Sequence, residues 1–307
     1  MSKNIINAVN KYSSINPIFG LIPTRRQIDY NGGYVSPELN SEELKYITES
    51  SVPVLRDHGG PNQGTVTDDG FYSLAVDARY FDGIHIDPFV KFPTVTEGLE
   101  YTAKAIELIH SIDDRVFIEI LTEQAIRYFS VDQMRFFLEE LQYRLTPEQF
   151  EMIKYCVIQS GVRIDLVDQV NTGTFSSNRL AQMVSLCKEF NLLSKEHNGD
   201  YLDFNSIKFR FDNGLDSLNI GPEIAQIETK AVLEELTSSD IDKWYNNCVK
   251  SNKWKRWQTN NFNLDNKEQV IMVCGHYNRV NTELPNFDSK VEKRLFEKFN
   301  QLYEASK

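Results

Sequence analysis

The chain has 307 residues, with 33 Lys and Arg against 44 Asp and Glu for a formal charge of −11, and 41% of it is hydrophobic. A chain of this size buries a substantial core as one large domain or two smaller ones without help from metals or disulfides, so a stapled mini-protein is excluded. The acidic balance argues against non-specific capture of nucleic acid or of an anionic membrane surface, because like charges repel.

The N-terminal stretch MSKNIINAVNKYSSINPIFG lacks the roughly 7–15-residue apolar core of a secretory signal, and no later stretch approaches the roughly 20 apolar residues of a membrane span. Cys156, Cys187, Cys248 and Cys274 lie far apart with no Cys-x-x-Cys pair, and they read as reduced thiols of a cytoplasmic protein. Short apolar runs then recur at 17–22, 52–57, 83–87, 115–121, 155–160, 191–197, 217–221 and 269–275. Most have the composition of buried strands. Segments with helical spacing separate them: 42–50, 96–111, 131–143, 177–190 and 222–236. Ser130 is a candidate N-cap for VDQMRFFLEEL, and Thr146-Pro147-Glu148 places proline at a first helical position.

The first seven runs return every 26–40 residues. Strands at that interval with a helix in each gap imply parallel pairing through right-handed crossovers. Seven such units point to an α/β (β/α) barrel of the TIM type. An open doubly wound sheet is disfavoured, since no G-x-G-x-x-G follows an early strand. With no linker or repeat, the barrel is expected to span 1–237, followed by a helical and irregular C-terminal appendage over 238–307. Within that tail, Lys253, Lys255 and Arg256 interleave with Trp254 and Trp257. In an acidic chain this reads as an amphipathic packing helix, not a nucleic-acid patch.

A parallel barrel presents its functional groups at the carboxyl ends of its strands. Those positions here carry Asp57-His58, His85 and Asp87, Glu119 and Glu123, Gln159, His197 and Asn219. Two strand-end histidines, His58 and His197, with carboxylates between them, suit a divalent metal such as Zn²⁺ or Mn²⁺. Asp57, beside a ligand, is the candidate general base; its other reading is a carboxylate that orients a histidine. Asn219-Ile220-Gly221-Pro222 has the form of a phosphate turn at a helix N-terminus, and the His197-Asn198-Gly199-Asp200 turn would add N–H donors beside it. Gln27, with Arg25 and Arg26, stands where phosphate or sugar hydroxyls would be gripped.

At these residues the chain resembles a known family. The blocks RQIDYNGGYVSPE, LRDHGGPNQG, GIHIDPF, ILTEQ, VIQSGVRID, KEHNGDY and LNIGPEIAQIETKAV are similar, in order, to the larger, so-called non-catalytic, subunit of class II tagatose-bisphosphate aldolase. The resemblance covers roughly residues 17–237 and, more faintly, the HYN segment of the tail. It also extends to a remote likeness to class II fructose-bisphosphate aldolases. The family implies a TIM (β/α)8 barrel, a phosphorylated ketose substrate, a divalent metal (Zn²⁺ first, Mn²⁺ or Co²⁺ as substitutes) and either retro-aldol lyase or 4-epimerase activity. The alternative role is a non-catalytic barrel that stabilises a separate aldolase subunit; a homo-oligomer is the other arrangement expected.

The resemblance carries Asp57 over as acid/base and His58 and His197 as metal ligands. Gln159 stands where the aldolases have a third histidine, so Glu123 is the first choice for third ligand and second catalytic carboxylate, and Gln159 the second choice. Gln27, Asn62, Asp87, Asn198, Gly199, Asn219 and Gly221 are the substrate and phosphate positions. The chain lacks a first strand before residue 17, for which the run at 269–275 is the candidate substitute.

Overall fold

A computed structural model describes residues 2–16, 18–35, 39–49 and 51–307. Among the described residues the eight strands are β1 (Leu55–Gly59), β2 (Gly83–Ile86), β3 (Phe117–Ile120), β4 (Ile153–Ile158), β5 (Ile164–Asp165), β6 (Val170–Asn171), β7 (Leu193–Glu196) and β8 (Ser217–Leu218). Six of them form one parallel sheet in the order β1-β2-β3-β4-β7-β8, and β5 and β6 form a small antiparallel hairpin. Sequential order in a parallel sheet requires a crossover in each gap. Those crossovers are α3 (Phe71–Tyr80), α4 (Val95–Ile112), α5 (Val131–Arg144) with α6 (Pro147–Glu151), α7 (Ser177–Glu189) and α8 (Phe204–Asp212). α9 (Pro222–Leu233) follows β8, while α1 (Lys3–Ser13) and α2 (Ser41–Ile47) precede β1.

The helix starts follow from local chemistry. The Ser130 side chain accepts from the Gln133 N–H in a capping box, and Thr146 does the same with Gln149 ahead of Pro147. The strands are nearly continuous apolar runs because helices cover one face and the curled interior the other. Ile84, Ile86, Ile118 and Ile120 are all fully buried.

Two expectations need correction. The run at 269–275 is not a strand: it lies in α11 (Lys267–Asn278), whose start is capped by Asn266. Periodicity alone cannot separate a short apolar run in a strand from one in a buried helix. Here the helix packs Val270, Ile271, Val273 and Cys274 into a core shared with Trp244 and Cys248. The 17–22 run is not a regular strand either, and Pro17 lies outside the described residues. Instead Leu21 and Thr24 make isolated parallel bridges to Val54 and Asp57. The segment thus continues the sheet beyond β1 without building a ladder. Pro23 has no N–H to give, but its carbonyl accepts from the Asp57 N–H at 3.0 Å. Among the described residues no ladder joins this segment to β8, so the parallel sheet is a curled partial barrel, with a cavity of about 270 Å³ between residues 18–22 and 217–221.

The tail is helical: α10 (Ser238–Ser251), a short 3-10 turn over Lys253–Trp257, α11 and α12 (Asp288–Ala305). In the turn, Trp254 stacks on Phe262 and Trp257 donates to the Tyr277 hydroxyl at 3.2 Å. Tail residues Trp244, Val270, Leu295 and Phe299 share one buried cluster with Ile6 and Val9 of α1 and Val232 of α9.

One buried side chain fixes the first segment onto the sheet. Arg56 of β1 meets Asp77 of α3 through Nε at 2.7 Å and Nη2 at 2.8 Å, and it donates to the carbonyls of Pro23 and Ile28 and to the Ser41 hydroxyl. Both partners are fully buried. Replacing Asp77 by Asn leaves the guanidinium uncompensated and is expected to destabilise the protein by about 3–5 kcal/mol in urea unfolding; a loss below about 1 kcal/mol would show that Arg56 does not hold this corner.

Candidate metal centre and active site

The curl of the sheet is measured by its histidines. β1 and β7 are four strands apart in the sheet order, a distance of about 19 Å in a flat sheet. Yet the rings of His58, at the end of β1, and His197, just past β7, have centroids 5.5 Å apart, with His85 of β2 at 5.2 and 4.9 Å from them. The register shift between Arg56 and Gly59 brings two sequence neighbours, Asp57 and His58, into the same cluster. His58 takes the left-handed backbone conformation (φ 48°), where a non-glycine residue is strained. Its N–H donates to His85 Nδ1 at 3.3 Å, which helps to hold that conformation.

Hydrogen bonds determine which atoms remain available. His58 Nδ1 is 2.7 Å from Asp87 Oδ2, so Nε2 faces the cluster. His197 Nε2 is 2.6 Å from Glu119 Oε1, so Nδ1 faces inward. His85 has neither nitrogen to spare: Nε2 lies 2.7 Å from the Leu121 carbonyl, which makes it the donor, and Nδ1 accepts from His58. Glu119 is likewise engaged, by His197 and by Lys195 Nζ at 2.6 Å. Three groups of ligating side chains lie close together here, and only His58, Glu123 and His197 offers a free face from every member. His58 Nε2 and His197 Nδ1 each stand 3.5 Å from Glu123 Oε2. Ligands held at about 2.0–2.1 Å in a tetrahedron lie about 3.3 Å from one another. The donor set therefore fits a divalent ion such as Zn²⁺, with Asp87 and Glu119 as the carboxylates that orient its imidazoles.

Asp57 completes the cluster. Its Oδ1 is buried with no hydrogen-bond partner among the described residues, 3.5 Å from His85 Nδ1 and 3.9 Å from His197 Nδ1. Burial works to raise its pKa, but His58 above all, with His197, holds it far below the usual carboxylate range. Glu123 is opposed by burial in the same way and lowered to about 2, chiefly by His58. The imidazoles shift reciprocally. Burial disfavours their charge, yet Asp57 and Glu123 lift His58 well above its ordinary value, and Glu119 lifts His197 to about 9.

The remaining positions divide. Asp87 sits behind His58 and also accepts from Gln63 and Thr122. Gln27, Asn219 and Gly221 line one cavity at the open side of the sheet. Asn62 is tied to Asp68 in the loop after β1, and the Asn198 carbonyl accepts from Asn171. Gln159 is turned away from the ligand set: its amide donates to the Thr122 and Arg127 carbonyls and its oxygen accepts from the Phe129 N–H. At Gly221 the expected phosphate donors are already occupied, because Asp200 Oδ1 accepts from the Gly221 N–H at 2.9 Å and the Glu223 N–H at 2.8 Å. Burial first, then Glu223, raises Asp200 to about 7.

Sequence reasoning placed Glu119 at a strand end without a specific role, gave none to Lys195, Gln63 or His85, and read Asp200 only as part of a turn offering N–H donors. A signal existed for the first. A charged residue inside a strand as short and apolar as FIEI has to find a buried partner, and Glu119 finds it in Lys195 of the LSKE strand.

No protein-family model matches the chain, and no curated protein matches it by sequence. Solved structures do share its fold. A crystal structure described as a probable tagatose 6 phosphate kinase from Sinorhizobium meliloti 1021 matches with a TM-score of 0.73 at 12% identity, over 98% of this chain and 97% of that one. The fructose-bisphosphate aldolase (Fba) of Campylobacter jejuni matches at 0.56 and 12% identity, covering 98% and 87%. The YdjI aldolase of Escherichia coli K12 gives 0.55 and 13%, covering 97% and 85%. At these identities the likeness is one of fold. No helix is long and apolar enough to cross a membrane among the described residues.

Metal and protons compete for the same two nitrogens. Zn²⁺ binding is expected to be stoichiometric, to release close to two protons at pH 7, and to tighten as pH rises toward about 9, where His197 deprotonates unaided. Calorimetry in buffers of different ionisation enthalpy reads the proton count. Affinity that is flat between pH 6 and 8, or unchanged in a His58→Ala, His197→Ala double variant, would contradict this ligand set.

Proposed function

We propose that the protein is a metal-dependent retro-aldol enzyme of carbohydrate metabolism that breaks the C3–C4 bond of a phosphorylated ketose, as a 4-epimerase or a lyase. The observation that carries this reading is Asp57, a buried carboxylate whose Oδ1 has no partner among the described residues and faces the same centre as the free faces of His58, Glu123 and His197. A divalent cation held by those three residues would supply Lewis acidity at the ketose carbonyl.

The protein's own groups account for the rest. Asp57, kept ionised by the positive charge of the centre, accepts the C4 hydroxyl proton. As that O–H breaks, C4 becomes an aldehyde carbon, the C3–C4 bond opens, and its electron pair passes to C3, giving an enediolate of the C1–C3 fragment. Asp87 and Glu119 hold the two imidazoles in one orientation throughout. If the aldehyde departs and the enediolate is protonated, the outcome is cleavage. If the aldehyde turns and C3 re-adds to its other face, Asp57 returns its proton to the new C4 oxygen and the outcome is inversion at C4.

NMR of the zinc-loaded protein with fructose 6-phosphate, tagatose 6-phosphate and their bisphosphates in deuterated water tests the scheme. The C4 epimer without deuterium at C4, or triose phosphate, is the expected product, and deuterium at C4 would contradict retro-aldol chemistry. Asp57→Asn should lower turnover by about 10²–10⁴-fold while zinc content stays the same. Undiminished turnover would remove Asp57 from the mechanism.

A further inference from the structure

The N-terminus of α9 follows Gly221, and a cap of free N–H groups there would be an anion site. In this chain Asp200 fills it from within. The carboxyl is 1% exposed and accepts from both the Gly221 and Glu223 N–H groups. A second carboxylate stands beside it: Glu223 accepts from the Tyr201 N–H at 2.9 Å and pairs with Lys298 Nζ at 2.6 Å. The other nearby ammonium, Lys195, is paired with Glu119. A phosphate arriving here would have to displace a bonded carboxylate, would meet another, and would find both lysines already paired.

The same corner is furnished for an uncharged group. Asn219 is 8% exposed, its Nδ2 has no partner among the described residues, and it lines the cavity of about 270 Å³ that Gly221 and Gln27 also line. A side chain at Gly221 would meet nothing within 4 Å, so the turn opens onto space. A buried donor without a partner is costly unless a ligand oxygen meets it. A hydroxymethyl end fits that space and that donor.

We propose that Asp200 excludes phosphate from the turn at Gly221, so that the sugar end lying there carries a free hydroxyl, received by Asn219, and the substrate is a ketose with at most one phosphate, at its other end. This rests on the retro-aldol reading for the identity of the sugar, and it names a specificity-determining residue that the reading does not need.

The test compares the zinc-loaded wild type with Asp200→Ser at pH 8, where Asp200 is charged. kcat/KM is measured for ketohexose 6-phosphates and 1,6-bisphosphates, and inorganic phosphate binding is followed by ³¹P NMR. The wild type should favour the monophosphates by about tenfold or more, and Asp200→Ser should erase most of that preference and gain phosphate binding. Should Asp200→Ser fail to fold, Asp200→Asn, which keeps the acceptor and removes the charge, should shift both readouts the same way by less. A wild type that favours bisphosphates, or a variant that gains no affinity for inorganic phosphate, would overturn the proposal. If no ketose turns over at all, the retro-aldol reading falls, and the phosphate titration still decides the role of Asp200.

Discussion

Four carboxylates, Asp57, Asp87, Glu119 and Glu123, are gathered around His58 and His197 in the mouth of a curled sheet, with Lys195 as the only fixed cation among them in the described residues. Such a gathering of negative charge out of water is unfavourable unless positive charge answers it. The raised pKa values of His58 and His197 answer it with protons, and a divalent cation would answer it in their place. The unusual features of this region serve that arrangement. The register shift in β1 brings Asp57 and His58 to the same cluster, the left-handed backbone at His58 is supported by His85, and Asp87 and Glu119 each fix one imidazole.

Outside the mouth, the fold holds these strand ends in place by different means on its two sides. On the helical side, α3 to α7 cover the sheet with a continuous apolar core. On the open side the backbone ladder is interrupted, and the first segment is attached by Arg56 and by two bridges. The helices after residue 237 complete that side together with α1 and α9, burying Trp244 fully. They belong to the packing that supports the first segment, and so to the wall of the cavity beside Gly221.

Much of this was legible in the sequence because it is written in short-range chemistry. Six apolar runs became parallel strands in sequential order, and the caps at Ser130 and Thr146 stand where Ser-x-x-Gln and Thr-Pro-x-Gln place them. His58 and His197 could be grouped with a strand-end carboxylate because strand ends in a curled parallel sheet converge, whatever their separation along the chain; the choice of Glu123 ahead of Gln159 rests on the family resemblance. Long-range pairing was not legible. An apolar run such as QVIMVCG reads equally as strand or buried helix until Trp244 and Cys248 are known to face it. The engagement of Gln159 by three backbone groups, of His85 by Leu121, and of the Gly221 amides by Asp200 depends on partners between 21 and 37 residues away. A glycine turn before a proline announces a free helix N-terminus, but not that a carboxylate from the neighbouring turn will fill it.

The geometry points to one divalent ion held in this cluster by two imidazoles and a carboxylate. X-ray absorption spectroscopy of the zinc-loaded protein reads that most directly. Two imidazole scatterers with oxygen in the remaining positions at about 2.0–2.2 Å are expected. Three imidazoles would mean that His85 abandons Leu121 and His58 to become a ligand, and an all-oxygen shell would mean that the ion is not held by these histidines; either result would contradict the account.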